Sequence, residues 1–158
     1  MIDLSQVTDP ESFISKMKEV LGPDFDALGE RSRTTDWDRA IAYCIWRGLT
    51  HPNTAAVVYL TRRDAVIRFW TELNSAILTL PADLANCVSN SAMRQITFDT
   101  GARINLINSL MAGKGRAISD LLIWTDIDKD DLTVIEDWFA PMLYSNRDND
   151  NNHLVYFE

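Results

Sequence analysis

The chain has 158 residues, 46% of them hydrophobic and 24% charged, with a net charge of −8. This length and balance predict a single domain spanning residues 1–158 with a core of its own, and they exclude a wholly disordered chain. The acidic surplus opposes general binding to a nucleic-acid backbone, where lysines and arginines must displace counterions, so no direct nucleic-acid contact is expected.

The opening MIDLSQVTDPES lacks both a basic and an apolar signal region, and no apolar run nears the ~20 residues that cross a bilayer, so a cytoplasmic protein without membrane contact is expected. Asp9-Pro10-Glu11 predicts a helix start, with Asp as N-cap and Pro in the first turn. Phe13, Ile14, Met17, Val20 and Leu21 continue at helical spacing until Gly22-Pro23 stops them. Residues 1–29 form an N-terminal helical extension, and residues 24–35 read as irregular and polar. Asp36 predicts the cap of a second helix carrying Ala40, Ile41, Cys44, Ile45 and Leu49. Residues 54–60, TAAVVYL, form a β-branched apolar run and read as a buried parallel strand. A long amphipathic helix follows, with Ala65, Val66, Phe69, Trp70, Leu73, Ile77 and Leu80 on one side and Pro81 at its end. Residues 95–98 and 102–107 read as a hairpin, with Gly101 at the turn position that favours positive φ. Residues 120–127, DLLIWTDI, predict a second buried strand. Asp130 or Asp131 then caps a helix carrying Val134, Ile135, Trp138, Phe139, Met142 and Leu143, and HLVYF at 153–157 predicts a last strand. The alternation gives an α/β fold: a mostly parallel sheet flanked by helices, with an inserted β-hairpin. Cys44 and Cys87 lie in apolar contexts without CxxC or Cys/His spacing, which predicts two reduced, buried thiols.

The order of segments over residues 30–158 resembles the ATPase domain of the large terminase subunit, the DNA-packaging motor of tailed phages. The resemblance rests on Ala40 to Trp46 (AIAYCIW), on His51-Pro52-Asn53, and on Thr61-Arg62-Arg63-Asp64-Ala65 at a helix start. It continues through Leu80-Pro81, the hairpin from Ile96 to Ile104, the loop Lys114-Gly115-Arg116 before Leu121 to Trp124, and the strand at Leu154 to Phe157. It implies a P-loop-ATPase-like sheet, with a P-loop just before the Ala40 helix and a Walker B acid pair at the end of the Trp124 strand.

The chemistry expected at those places is altered. A P-loop needs glycines, so that backbone N–H groups can approach phosphate, and a lysine for the β/γ charge. Residues 31–38 read RSRTTDWD, with neither glycine nor lysine. Asp36 would repel phosphate and Trp37 would fill the cradle. The chain's GK pair, Gly113-Lys114, falls between hairpin and strand and reads as loop. Walker B chemistry needs one acid for Mg²⁺ and another to position water, whereas Trp124 is followed by Thr125-Asp126. No catalytic residue, no bound cofactor and no ATPase activity are therefore expected.

Asp126, Asp128 and Asp130 fall at the first three ligand positions of a calcium loop, with Asp137 at the twelfth. Asp131 stands where that loop needs glycine, so acids near a strand end and helix start are the better reading, and these aspartates are weak metal candidates. Trp70, Trp124 and Trp138 sit at core spacings. Trp37, among polar neighbours, is a candidate exposed anchor for a protein interface. Arg31, Arg33, Arg39, Arg47, Arg62, Arg63 and Arg68 crowd the first half. They read as a solvated face, with Arg31, Arg33, Arg62 and Arg63 as candidate interface residues beside Trp37. Nothing marks His51 or His153 as a base.

The expected function is a non-catalytic binding module that modulates or inhibits a phage packaging motor, or a related phage or host protein, in the infected cell. Its partner would be a large terminase or another nucleic-acid-handling protein. The alternatives are a truncated or split motor subunit that uses a partner's residues to hydrolyse nucleotide, and an acidic decoy of a DNA-binding protein.

Overall fold

The computed structural model describes residues 1–22, 33–113, 117–144 and 153–158, with Arg33 and Tyr144 as backbone alone. Helix α1 (Pro10–Leu21) begins with a reciprocal capping box: Ser12 N–H donates to Asp9 at 2.7 Å, and Ser12 Oγ accepts from Asp9 N–H. Gly22 closes the helix at φ 86°. A short strand β1 (Arg33–Thr35) follows, in a stretch whose sequence reads as irregular. Its three residues are too few for a period-2 pattern, and its pairing with a terminal strand supplies what the local sequence lacks.

Asp36 caps α2 (Trp37–Thr50), accepting from Arg39 N–H at 2.8 Å. Strand β2 (Ala55–Tyr59) leads to α3 (Arg63–Leu78), which ends before Leu80-Pro81. Strands β3 (Cys87–Asn90), β4 (Gln95–Phe98) and β5 (Arg103–Ile107) follow. Gly101 takes φ 85° at the β4–β5 turn, as its position demanded. A 3₁₀ turn at Leu110–Gly113 precedes β6 (Asp120–Trp124), then α4 (Lys129–Tyr144) and β7 (His153–Phe157). Helix α4 starts before Asp130 and Asp131, so these acids lie inside its first turn, where they favour the positive end of the dipole, and are not its cap.

The strands form one sheet in the order β1-β7-β6-β2-β5-β4-β3. The first five of these run parallel, and β4 and β3 extend the sheet antiparallel. The expected α/β class with its antiparallel hairpin is thus present, and β3 widens the hairpin edge. Helices α1, α2 and α3 share one hydrophobic cluster with one face of the sheet; α4 packs with the other face. Central strand β6 is buried throughout, as a parallel strand covered on both faces must be.

Helix α2 lies against the sheet with α1 outside it, Phe13 stacking on Trp46 at 5.8 Å. It is therefore buried over most of its length, not along one stripe. Gly48 allows a close approach to the hairpin, because a Cβ there would collide with the Phe98 ring. Val134 is 57% exposed and leaves the core stripe of α4 to Ile135, Phe139 and Leu143. Cys44 is buried, whereas Cys87 is half-buried at the edge strand; both are free thiols. Among the described residues, no helix is long and apolar enough to cross a membrane.

Candidate functional site at the carboxyl edge of the sheet

In open α/β sheets, ligands sit beyond the carboxyl ends of parallel strands. Here that edge is built by the residues following β1, β7, β6 and β2. Glu158 N–H donates to Thr35 O at 3.2 Å, and Thr125 N–H donates to Phe157 O at 2.9 Å, which locks three strand ends together. A P-loop occupies a loop between strand and helix. Between β1 and α2 there is one residue, Asp36. Its carboxylate already takes one of the first-turn N–H groups of α2 that an anion would need.

Trp37 fills the adjoining space. It is 7% exposed, so the expectation of an exposed anchor is corrected: Asp36 and Arg39 are exposed while the indole turns inward. The ring packs at 5.3 Å on Phe69, 5.7 Å on Phe157 and 5.9 Å on Trp124. Its Nε1–H donates to Glu72 Oε2 at 2.6 Å, and the Arg68 guanidinium covers its face at 4.3 Å. Arg68 also pairs with Glu72 at 3.3 Å, closing a triangle of indole, carboxylate and guanidinium.

A second arginine acts similarly on the next strand. Arg62 sits 4.9 Å over Trp124 and pairs with Asp126 at 3.2 Å and Asp64 at 3.3 Å. Asp126 thus stands at the end of β6, where the resemblance places an acid, with a cation of the same chain against it. A shallow recess of about 460 Å³ remains, lined by Trp37, Arg68, Trp124, Thr125, Asp126 and Glu158. Its two carboxylates face one guanidinium, so the lining offers a triphosphate no surplus of positive charge.

The other sequence candidates distribute unevenly. Arg62 and Arg63 are both exposed, and Arg62 adjoins this recess through Asp126 and Trp124. The backbone of Arg33 lies in β1, and Arg31 falls outside the described residues, as do Lys114 to Arg116. Asp128 and Asp130 are exposed where β6 gives way to α4. Among the described residues, no three His, Cys, Asp or Glu side chains group so as to hold a metal ion. Trp70 and Trp124 are core residues as expected, and Trp138 packs partly buried against the α4 cluster.

Sequence reasoning missed a charged cluster at the opposite, amino end of the strands. Arg47, read as part of a solvated face, is 2% exposed, and Asp120 is fully buried. Arg47 Nε donates to Asp120 Oδ1 at 3.0 Å and Nη2 to Oδ2 at 3.3 Å. Tyr43 donates its hydroxyl to Asp120 at 2.6 Å, and Ser119 donates at 2.7 Å. The Tyr43 oxygen lies 2.5 Å from His153 Nδ1. A hydroxyl has one proton, and Tyr43 gives it to a carboxylate that can only accept. The Nδ1-protonated tautomer of His153 is the one that can donate to Tyr43 in this arrangement. Burial, and then the Asp120 charge, push the Tyr43 ionisation well above its ordinary range. The helical spacing of Ala40, Tyr43 and Arg47 was the available signal, since it places the guanidinium on the inward stripe of α2.

The chain matches no protein-family model and none of the curated proteins. Among solved structures it is similar to an arginine-to-alanine mutant of the large terminase ATPase domain from Thermus phage P74-26. The TM-score is 0.68 at 8% identity, over 91% of this chain and 68% of that one. The fold is that of a terminase ATPase domain. At this identity the likeness is one of fold alone.

Proposed function

We propose that this protein is a non-catalytic binding module on a packaging-ATPase fold, acting by contact to modulate or inhibit a phage DNA-packaging motor or a related phage or host protein. The observation that carries the reading is the Thr35-Asp36-Trp37 junction. The site where a nucleotide's phosphates would need a glycine nest holds a carboxylate cap and a packed indole. The fold supplies a shape that a motor subunit's neighbours would accept, and the plugged edge gives a reason for lacking turnover. Asp126 is held by Arg62, and Mg²⁺ would have to displace that guanidinium before binding.

The test has two arms. Purified protein should release no phosphate from Mg²⁺–ATP and show no Mg²⁺-dependent uptake of ATP by calorimetry. It should co-purify with a large terminase and change that enzyme's ATPase or packaging rate. Failure of the second arm removes the modulator reading.

A second reading, a split motor subunit completed by a partner's residues, draws on Asp126 lying exposed at the end of β6 on the recess. Mg²⁺-dependent ATP binding that Asp126→Ala abolishes would favour it over the first.

A further inference from the structure

Away from the carboxyl edge, the face of the sheet that packs on α4 carries a second cavity that the proposed function does not use. On this face Val88 of β3, Thr97 of β4 and Arg103 of β5 are exposed. Asn105 of β5 is different: it is 8% exposed, and its Oδ1 is buried with no hydrogen-bond partner. Buried carbonyls are almost always paired, and an orphan costs stability that an apolar residue in its place would not. The side chain lines a cavity of about 410 Å³, together with Ala55, Val57, Gln95, Arg103 and Ile118. That volume lies within the range of small-molecule pockets. Alanine at 55 leaves room, while Val57 and Ile118 supply apolar walls.

The polar groups converge in an orderly way. Gln95 lies directly opposite Asn105 in the β4–β5 ladder, so two side-chain amides share one face. Arg103 lies two residues back along β5, on the same face and about 7 Å away. An amide offers a donor and an acceptor side by side, the complement of a nucleobase edge, and a guanidinium suits a phosphate. No carboxylate is among the described residues that line the cavity.

We propose that this cavity binds a small planar heterocycle bearing N–H donors and an anionic group, the chemistry of a nucleoside monophosphate, without a metal ion. The base edge would meet Asn105 and Gln95, between Val57 and Ile118, and the phosphate would meet Arg103. The chain's net charge of −8 favours a free mononucleotide over a nucleic-acid strand. The inference is independent of the proposed function, because it concerns the other end and the other face of the sheet.

The experiment is a titration of the isotopically labelled protein with AMP, GMP, CMP and UMP, in the presence of EDTA, following the Asn105 and Gln95 side-chain amide resonances. At least one monophosphate should move both resonances saturably. Arg103→Ala, at an exposed position, should weaken that binding about tenfold. Asn105→Val should abolish it while raising the thermal midpoint, since the orphaned carbonyl is removed. The proposal is overturned if none of the four shifts these resonances, if binding survives both substitutions, or if a single-stranded oligonucleotide binds more tightly than every mononucleotide.

Discussion

Trp37 donates its indole proton to Glu72 at 2.6 Å, and this bond fixes the ring across the carboxyl ends of β7 and β6. A residue in the first turn of α2 is thereby tied to the middle of α3, and the strand–helix junction has no freedom to open into a loop. The ring is both plug and core residue. Trp37→Ala should lower the unfolding free energy by about 3–5 kcal/mol, as for other buried aromatic truncations. Urea denaturation measures this. The same variant should not gain ATP binding, because Asp36 and the missing lysine remain. Trp37→Phe should recover most of the packing and lose only the bond to Glu72.

The buried pair at the amino edge makes a second prediction. Removing one partner leaves the other charge buried and uncompensated, so Arg47→Met or Asp120→Leu alone should each cost about 3–5 kcal/mol. The double variant should cost less than the sum of the two, because no charge is stranded. A double-mutant cycle by denaturant melts reads the coupling. Strict additivity would show that the contact in the structure carries no energy.

The same cluster sets a response to alkali. The Tyr43 ionisation is raised by burial and by Asp120, from an ordinary value of 10.0. In the unfolded chain the phenol loses its proton near that value, whereas in the folded chain it keeps it. The native state therefore binds more protons above about pH 10, and stability should fall as pH rises through that region toward the folded pKa. Tyr43→Phe should flatten this part of the pH–stability curve relative to the parent, although it removes a hydrogen bond at neutral pH. An unchanged alkaline slope in the variant would assign the effect to another group.

Much of the fold was legible because its local signals agreed with its tertiary context. The Asp9 and Asp36 caps, the β-branched run at residues 54–60 and the glycine at the hairpin turn each acted as their residue types dictate. Strand β1 was not legible, since three residues of Arg and Thr become a strand only through their pairing with β7, some 120 residues later. The site was legible in part. The lack of a glycine nest could be read from residues 31–38, but the fate of Trp37 could not. Polar neighbours in sequence say nothing of the three aromatic rings that α3, β6 and β7 bring to it. Arg47 misled for the opposite reason, because a count of arginines ignores which face of the helix each occupies.

The two thiols should separate chemically. Burial first, and the Asp120 charge second, hold the Cys44 thiol far above its ordinary range, and Cys87 is raised less and is half-buried. Under native conditions a thiol reagent should label Cys87 alone, and Cys44 should react only on unfolding. Mass spectrometry of the labelled peptides distinguishes them, and equal native labelling would contradict the packing of α2.

Helix α2 comes close to the hairpin at Gly48. Gly48 faces the Phe98 ring with no room for a Cβ, and Thr100 Oγ1 donates to Gly48 O at 2.8 Å on the same side. Gly48→Ala would ordinarily favour a helix by up to about 1 kcal/mol. Here overpacking should win, and the variant should lose about 1–3 kcal/mol. Shortening the opposing side chain separates the two effects. In a Phe98→Leu background, the added methyl finds space in place of the ring edge, and Gly48→Ala should become neutral or stabilising. If the substitution is equally harmful in both backgrounds, the clash does not lie with the ring, and the helix is positioned by the Thr100 bond instead.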